Sequence, residues 1–467
     1  MLTYDLSKRG KTPAYEYIYS CIKNDILNGR IKANEKLPSK RSFALNLGVS
    51  LITVVNAYEI LMVEGYVVGI EKKGYFVNDI GIVSEKKEEE KEIIEPSEPE
   101  EKYLADFSSG HILYDNFPYT IWTRLMRKTL MDREGLFLKS PLHQGVYSLR
   151  KNIAEHLSEF RGLKVSPENI VVGAGTEYLY SLIVQLIGRS GMIAVEDPGH
   201  VKVSRVYEAN GIKVVHIPVD DQGLSLEGLK NSGAKAVHIS PSHQFPTGSV
   251  MSAKRRHGII KWASEKGGYI IEDDYDSEFG FLLRPMPTVK ELAKDRVIYM
   301  NTFSRTLSPS IRIAYMVLPD ELMEKYHSKL GFYSSTVSGM EQMALAAFIE
   351  EGFYGRHLNR MKNYYRKLHI EITDIIKETL PDKLCRIEGE ACGLHFVIRL
   401  NTDITDEEFT ERLYEKGIKI KPVNDYAHYK REGFKHCFVI SYSEINPKIM
   451  KKAAEIIFEC LLGKEKS

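Results

Sequence analysis

Two apolar runs, 298–300 and 313–318, flank a loop of small hydroxyl residues and arginines. Thr302, Ser304 and Arg312 are suited to surround a phosphate, because hydroxyls donate hydrogen bonds and a guanidinium binds two oxygens at once. The apolar runs have the length and composition of buried strands. The stretch therefore predicts an anion-binding loop between two strands of a sheet.

Other chemically suited residues follow predicted strands in the same half of the chain. A strand and a glycine turn lead into Gly175 and Thr176, and backbone N–H groups at the start of the next helix can hold an anion. A further buried strand ends in Asp273 and Tyr275. Open α/β sheets bind ligands at the carboxyl ends of their strands, so we expect these residues to share one site.

The N-terminal residues predict a different kind of module. Helical patterns at 12–28, between the candidate cap Ser39 and Gly48, and at 51–64 are followed by two strand-like runs, 66–70 and 74–77. Two helices joined by a short turn, followed by a hairpin with a basic tip, are typical of a winged helix-turn-helix. In that arrangement the second helix of the motif enters the major groove of DNA.

Candidate DNA contacts follow from this arrangement. Thr53 and Asn56 lie on the polar face of the second helix, where they can reach base edges. The other candidates suit phosphate contacts or put charge on the wing, and they are Ser39, Lys40, Arg41, Ser50, Lys72 and Lys73. Residues 1–80 carry 11 Lys and Arg against 8 Asp and Glu, so charge alone does not exclude a helical adaptor domain.

Composition divides the chain into three parts. We predict a winged-helix domain at 1–80, a flexible linker at 81–104 rich in Glu, Lys and Pro, and an α/β domain with a mainly parallel sheet at 105–467. The linker cannot bury a core of its own. A length of 467 residues allows two or three such domains.

The overall composition excludes several classes of protein. A net charge of +1 indicates no global affinity for nucleic acid or membrane. No apolar run approaches 18 residues and the N-terminus lacks the form of a signal peptide, so we expect a cytoplasmic protein without a membrane partner. The five cysteines are scattered without metal-ligand spacing, so we expect reduced thiols and no metal site.

Four short motifs in the N-terminal part resemble the GntR family of bacterial repressors. They are Leu-Pro-Ser-Lys-Arg at 37–41, Leu-Gly-Val-Ser at 47–50, Glu-Gly-Tyr at 64–66 and Lys-Gly-Tyr-Phe-Val at 73–77. Their order and spacing carry the resemblance, which implies a DNA-binding domain. Leu51 stands where family members usually have an arginine, so one phosphate or base contact is expected to be missing.

The C-terminal motifs resemble type I aminotransferases, which use pyridoxal phosphate (PLP), and the whole chain resembles the MocR/GabR regulators. The most specific segments are 241–248 and 270–279. The resemblance covers nearly all 467 residues and implies a large α/β domain with a small α/β subdomain at about 360–467. It also implies a double-stranded DNA operator, a small-molecule effector and a head-to-tail homodimer with swapped DNA-binding heads.

The resemblance gives each residue of the expected PLP site a role. Asp273 faces the pyridine nitrogen, where a carboxylate keeps that nitrogen protonated. Tyr275 hydrogen-bonds the phenolic oxygen of the ring, and His200 stacks on the ring. The remaining expected cofactor contacts, most of them to the phosphate, are Gly175, Thr176, His243, Thr302, Ser304, Arg305 and Arg312.

Two positions depart from the pattern of PLP enzymes. Arg305 stands where they have the lysine that forms a Schiff base with PLP, and an always-charged guanidinium cannot replace that lysine. Glu444 stands where relatives have an arginine for the carboxylate of the effector, and Lys202 stands where they have a second one. We hypothesise that Arg305 pairs with Glu444, because buried unpaired charges are costly. The alternative is that Glu444 points outward.

Three functions follow from these residues. The first is a DNA-binding transcription regulator whose aminotransferase-like domain binds PLP or a related small effector without a Schiff base. The second is a PLP-free pseudo-enzyme that serves as a dimerisation body for the DNA-binding head. The third, a working aminotransferase, is disfavoured because Arg305 cannot shuttle the proton of transamination. We therefore expect no catalytic residue and no enzyme activity.

Overall fold

The computed structural model describes residues 2–80, 103–108, 117–131, 135, 138–280, 287–389 and 393–462. The chain divides into two compact units, Met1–Glu100 and Glu101–Ser467. The predicted linker at 81–104 lies outside the described residues from residue 81 to residue 102. Among the helices that the structure describes, none has both the length and the apolar character needed to cross a membrane.

Three helices and a hairpin form the N-terminal unit. They are α1 (Ala14–Leu27), α2 (Lys40–Leu47), α3 (Leu51–Val63), β1 (Val67–Ile70) and β2 (Gly74–Val77). The two strands pair antiparallel, with Val67 opposite Val77. This is the winged helix-turn-helix that the helical and strand patterns predict, and that prediction is confirmed.

Local hydrogen bonds explain where α2 and α3 begin. The side chain of Ser39 accepts from the N–H of Ser42, and that of Ser50 accepts from the N–H of Thr53, as serine N-caps do. Gly48 ends α2 in the left-handed conformation, at a φ of 66°. Apolar side chains from all three helices and both strands form the core, among them Ile18, Ile22, Ile26, Phe43, Val54, Tyr58, Leu61, Val67 and Val77.

A large sheet forms the centre of the C-terminal unit. Its strands are β4 (Ile170–Ala174), β5 (Met192–Asp197), β6 (Lys213–Asp220), β7 (Gly223–Leu224), β8 (Ala236–Ile239), β9 (Tyr269–Asp273), β10 (Val297–Thr302) and β11 (Ile313–Val317). Over the described residues their order is β4-β11-β10-β9-β8-β5-β6-β7. Strands β5, β6, β8, β9 and β10 run parallel, whereas β11 is antiparallel to both β4 and β10.

Helices cover both faces of this sheet. They are α4 (Tyr119–Leu130), α5 (Tyr147–Arg161), α6 (Thr176–Ile187), α7 (Val201–Ala209), α8 (Leu226–Asn231), α9 (Ala253–Lys266), α10 (Val289–Leu292), α11 (Asp320–Leu330), α12 (Gly339–Glu350) and α13 (Phe353–Thr379). In β10, Ile298 and Met300 pack in one apolar cluster and Tyr299 packs in another. Burial on both faces explains why these strands are continuously apolar rather than alternating.

A smaller antiparallel sheet forms the C-terminal subdomain. Its elements are β12 (Cys385–Glu388), β13 (His395–Leu400), α14 (Asp406–Glu415), β14 (Ile418–Lys419), β15 (Lys421–Pro422), β16 (Cys437–Ser441) and α15 (Pro447–Leu461). The sheet order is β12-β13-β16-β15, and a short strand β3 (Ala105–Asp106) pairs with β14. This α/β architecture with a second, smaller α/β part confirms the predicted fold class.

The direction of β11 matters for the site. Met300 of β10 lies opposite Asp273, and Ile313 at the start of β11 lies opposite Ala174 at the end of β4. Because β11 is antiparallel to its neighbours, the start of β11 lies at the same edge of the sheet as the carboxyl ends of β4, β9 and β10. Arg312 directly precedes β11 and therefore lies at this edge. The fold therefore brings the separate motifs of the sequence to one edge of the sheet.

Candidate functional site

A cavity of about 590 Å³ lies at this edge. Nine residues that the sequence singles out line it: Thr176, His200, Lys202, Asp273, Tyr275, Thr302, Ser304, Arg305 and Arg312. Gly175 is not part of the lining but lies against Arg312, where a Cβ atom would overlap the guanidinium. Its φ of 86° also favours glycine.

Asp273, at the end of β9, is buried and ionised. Its Oδ2 accepts a hydrogen bond from the Tyr180 hydroxyl at 2.7 Å and lies 3.4 Å from Nε2 of His238. Burial by itself raises the pKa of Asp273, but the contacts with His238 and Tyr180 outweigh it and hold the pKa below its usual value. Its Oδ1 is buried without a hydrogen-bond partner among the described residues. The carboxylate thus offers one oxygen to a cationic N–H donor.

An ion cluster lies at another part of the cavity, near the start of α6. The guanidinium of Arg312 and the ammonium of Lys202 both contact the carboxylate of Glu177. Partial burial raises the pKa of Glu177, but the two cations outweigh it and hold the pKa below its usual value. Glu177 therefore competes with any external anion for the same two cations.

The hydroxyls of the loop after β10 hold the loop together. Thr302 Oγ1 accepts from the backbone N–H of Ser304 at 3.1 Å and donates to the carbonyl of Ile313 at 3.4 Å. These bonds link the end of β10 to the start of β11. Ser304 itself is half-buried and lines the cavity.

Arg305 is half-buried in the cavity wall. Its guanidinium lies 5.9 Å from the ring centroid of Tyr275, within the range of a cation–π contact. The Tyr275 hydroxyl donates to the carbonyl of His243 at 3.0 Å, so its proton is already engaged. Arg305 therefore places a permanent positive charge beside Tyr275.

Three residues that the sequence assigns to the site differ from the residues above in how they relate to the cavity. His200 lines the cavity, and its ring stacks on Phe245 with centroids 4.7 Å apart. His243 is buried beside Asp276 and is not among the lining residues. Glu444 is exposed and is not among them either, which agrees with the outward alternative. Its pairing with Arg305 stays a prediction.

The sequence did not single out several residues that shape the cavity. Tyr180 follows Thr176 by four residues on α6, so helical spacing offered a signal for it. Glu177 directly follows Thr176 in the first turn of α6. His238 and Phe245 reach the site from β8 and the loop after it, and nothing in the local sequence points to their contacts.

The eight candidate DNA contacts of the N-terminal unit fall into two groups of four. Arg41, Asn56, Lys72 and Lys73 are exposed, and Lys72 takes a φ of 58° at the tip of the hairpin. The other four are engaged in local contacts. Ser39 and Ser50 cap helices, the hydroxyls of Ser50 and Thr53 lie 2.7 Å apart, and Lys40 Nζ lies 4.8 Å from the ring centroid of Tyr75.

Both units match known families. Residues 103–457 match the family described as aminotransferase class I and II, and residues 14–77 match the bacterial regulatory proteins of the gntR family. In solved structures, the kynurenine aminotransferase of Pyrococcus horikoshii is similar to this chain with a TM-score of 0.68 and 20% identity. The match covers 78% of this chain and 92% of that one. At that identity the likeness shows the fold alone.

Curated relatives span both units together. The chain is 37% identical to the HTH-type transcriptional regulator YdeL of Bacillus subtilis over 92% of this chain and 93% of the relative. It is 29% identical to the probable rhizopine catabolism regulatory protein MocR of Rhizobium meliloti, over 99% of this chain and 96% of the relative. It is 30% identical to the pyridoxine biosynthesis transcriptional regulator PdxR of Corynebacterium glutamicum, over 87% of each.

These matches define a class of protein in which a GntR-type DNA-binding domain precedes a fold-type I aminotransferase-like domain. The chain belongs to the MocR-type family of HTH transcriptional regulators within that class. The resemblance that the sequence motifs carry is confirmed, and so is the expectation of a transcriptional regulator. The named relatives above are regulators, whereas the solved neighbour named above is an enzyme.

Proposed function

We propose that the aminotransferase-like unit binds PLP, or a small effector related to it, without a Schiff base, and that binding changes the affinity of the winged helix for an operator. The buried Oδ1 of Asp273 carries this proposal, because it lacks a partner among the described residues and belongs to a residue that lines a cavity. A pyridinium N–H is a donor of the right charge for that oxygen.

The other residues fit the same ligand. Arg312, with Thr302 and Ser304 nearby in the lining, suits the phosphate, and Tyr275, which also lines the cavity, suits the phenolic group of the ring. When bound, PLP supplies an aldehyde that reacts with amines. We propose that Arg305 occupies the position of the reactive lysine. Its guanidinium contributes charge but no nucleophile and no mobile proton, so the unit senses a ligand and does not turn it over.

A second candidate function has an observation of its own. Glu177 already neutralises Arg312 and Lys202, the two cations best placed for a phosphate. If that carboxylate excludes phosphate, the unit serves as a PLP-free body that pairs two chains. A homodimer is part of both candidates, and the head-to-tail arrangement rests on the family resemblance. In either case a regulator of operator DNA acts in the cytoplasm.

Absorbance and reduction separate the candidates. Full-length protein is titrated with PLP in equilibrium dialysis, and the bound sample is treated with borohydride and digested for mass spectrometry. We expect saturable binding, a shifted PLP absorbance band and no reduced adduct at Arg305. An adduct at that residue would overturn the noncovalent proposal, and an absence of binding would favour the PLP-free body.

The regulatory half of the proposal needs DNA. Random-sequence duplexes are enriched on the full-length chain, and the affinity of the selected duplex is measured by fluorescence anisotropy with and without saturating PLP. We expect PLP to change the affinity at least threefold. Equal affinities would reject PLP as the effector while leaving PLP binding itself intact. Light scattering of the same samples reports whether the chain is a homodimer.

A further inference from the structure

A cluster of two histidines and one carboxylate lies beside the ligand cavity without lining it. His243 follows β8, Asp276 follows β9 and His395 begins β13 of the small subdomain. All three side chains are buried, with exposed fractions of 2%, 4% and 5%. The cluster therefore joins two loops of the large sheet to the small subdomain, and no spacing in the sequence predicts it.

The three side chains are close enough to share an ion. Nδ1 of His243 lies 2.7 Å from Oδ2 of Asp276, and the ring centroids of His243 and His395 are 4.3 Å apart. One potential ligand atom from each residue falls within 4.8 Å of the others. Metal–ligand bonds of about 2.0–2.2 Å place ligand atoms roughly 3–3.5 Å apart, a separation that small side-chain movements reach from this arrangement.

The hydrogen bonds of the cluster show which atoms can bind an ion. A carboxylate only accepts hydrogen bonds, so Nδ1 of His243 donates a proton to Oδ2 of Asp276, and a metal ion that displaces this proton can take both atoms as ligands. The ring of His395 hydrogen-bonds to the backbone of Pro246, and its Nε2 is buried with no hydrogen-bond partner among the described residues. Metal-binding histidines such as this one typically anchor one ring nitrogen and bind through the other.

The backbone of the small subdomain leaves room for the cluster. A Cβ atom at Gly393 would overlap the ring of His243 and lie 2.7 Å from Oδ2 of Asp276. Gly393 also has a φ of 79°, where a side chain is strained. Any larger residue at this position would push the two sides of the cluster apart, so a glycine is needed for the close approach.

We propose that His243, Asp276 and His395 form a binding site for one divalent first-row transition-metal ion, such as Zn²⁺. Two imidazoles and a carboxylate are a donor set that suits these metals, and water or a further ligand completes the coordination. This proposal differs from the expectation of no metal site, because that expectation follows from the scattered cysteines and not from these three residues.

The bound ion would affect the cavity indirectly, through residues that contact its lining. His395 contacts Phe245 at a centroid distance of 5.0 Å, and Phe245 stacks on His200 in the lining. The carbonyl of His243 accepts the hydrogen bond of Tyr275. Because one ligand comes from the small subdomain and two from the large sheet, the ion would fix the small subdomain against the cavity and so set how readily the cavity opens.

The test uses the full-length, tag-free chain, since a histidine tag would bind the same metals. The protein is stripped with a chelator and dialysed, and Zn²⁺ is then titrated in competition with a chromophoric chelator. Co²⁺ replaces Zn²⁺ in a parallel sample, because its visible bands report coordination by nitrogen and oxygen. We expect one ion per chain with a dissociation constant in the micromolar range or tighter.

Variants locate the ion. His243→Gln and His395→Gln are each expected to weaken Zn²⁺ binding at least tenfold, and Asp276→Asn is expected to weaken it severalfold. His369→Gln is the matched control, because His369 is equally buried at 5% exposure but lies outside the cluster, and it should bind as the unaltered chain does.

Two results would overturn the proposal. One is a binding stoichiometry below 0.2 ion per chain, with no visible Co²⁺ band, in the unaltered protein. That result would mean that the three residues form a hydrogen-bonded structural triad and bind no metal. The other is undiminished binding in His243→Gln and His395→Gln. Circular dichroism checks the folding of each variant, and if both histidine variants unfold, the Co²⁺ spectrum of the unaltered chain still decides.

Discussion

Polar side chains are held in different ways in the two units of this chain. In the N-terminal unit, Ser39 and Ser50 each bond to a backbone N–H three residues further on. In the C-terminal cavity, Asp273 is held by Tyr180, which is 93 residues away in the sequence, and by His238 on a neighbouring strand. Local bonds shape the DNA-binding surface, whereas contacts between distant segments set the charge of the ligand cavity.

This difference has a functional consequence. The exposed candidates of the N-terminal unit act on a polyanion from water, where single contacts are weak and additive. The carboxylate of Asp273 is buried in the cavity and acts at short range in a less polar medium, where one unpaired charge is costly. Substitutions in the cavity should therefore have large effects, and substitutions on the DNA-binding surface should have small ones.

The largest expected effect is at Asp273. Asp273→Asn removes the negative charge that would face the pyridinium, so we expect PLP to bind about 100-fold more weakly, or about 3 kcal/mol. Equilibrium dialysis with PLP measures it. Asp425→Asn is the control, because Asp425 also lines the cavity but belongs to the small subdomain. Equal losses in both variants would mean that overall charge, not the single oxygen, attracts the ligand.

Glu196 provides a test by pH. It lines the cavity, and burial raises its pKa to about 8, so it is protonated in the folded chain at neutral pH. A raised folded pKa gives stability that is fully present below the unfolded pKa of about 4.5 and is lost as pH rises through 8. We expect the free energy of unfolding to fall by roughly 4 kcal/mol from pH 5 to pH 9 through this group, since each pH unit between the two pKa values contributes about 1.4 kcal/mol.

Urea unfolding at several pH values measures the slope of the free energy of unfolding against pH. Glu196→Gln should flatten it, because the amide stays neutral throughout. Glu272 and Glu278, whose pKa values burial also raises to about 7, should leave a residual slope. Glu208→Gln is the control, since Glu208 is exposed in the same lining. An unchanged slope in Glu196→Gln would assign the pH dependence to other groups.

The sequence predicts the parts of the molecule that local contacts hold, and it does not predict the contacts between distant segments. The helices that start after Ser39 and Ser50 and the strand 298–300 depend on neighbours in the chain, and the structure has these elements where the patterns predict. The motif residues around Asp273 and Arg312 do meet at one edge, because strand direction alone brings them there. The ion pairs of Glu177 and the orientation of Glu444 depend on side chains from separate elements, which no local pattern reports.

Glu177 is the position where a smaller cavity effect is expected. Glu177→Gln frees Arg312 and Lys202, which are partly exposed, so solvent screening limits the gain. We expect PLP and inorganic phosphate to bind about threefold to tenfold more tightly. Isothermal titration with both ligands measures it, with Glu208→Gln as the control. Weaker binding in Glu177→Gln would mean that the carboxylate orients the cations instead of blocking them.

The smallest expected effect is on the DNA-binding surface. Leu51 begins α3 and is exposed, at the position where the sequence resemblance predicts that one phosphate or base contact is missing. Leu51→Arg should raise affinity for non-specific duplex DNA about threefold to fivefold and steepen the salt dependence by about one phosphate contact. Val63→Arg adds the same charge at the opposite end of the same helix, where Val63 is 88% exposed. If both variants gain equally in fluorescence anisotropy across a salt series, added charge alone is responsible. A gain confined to Leu51→Arg would show that the start of α3 lies against the phosphate backbone.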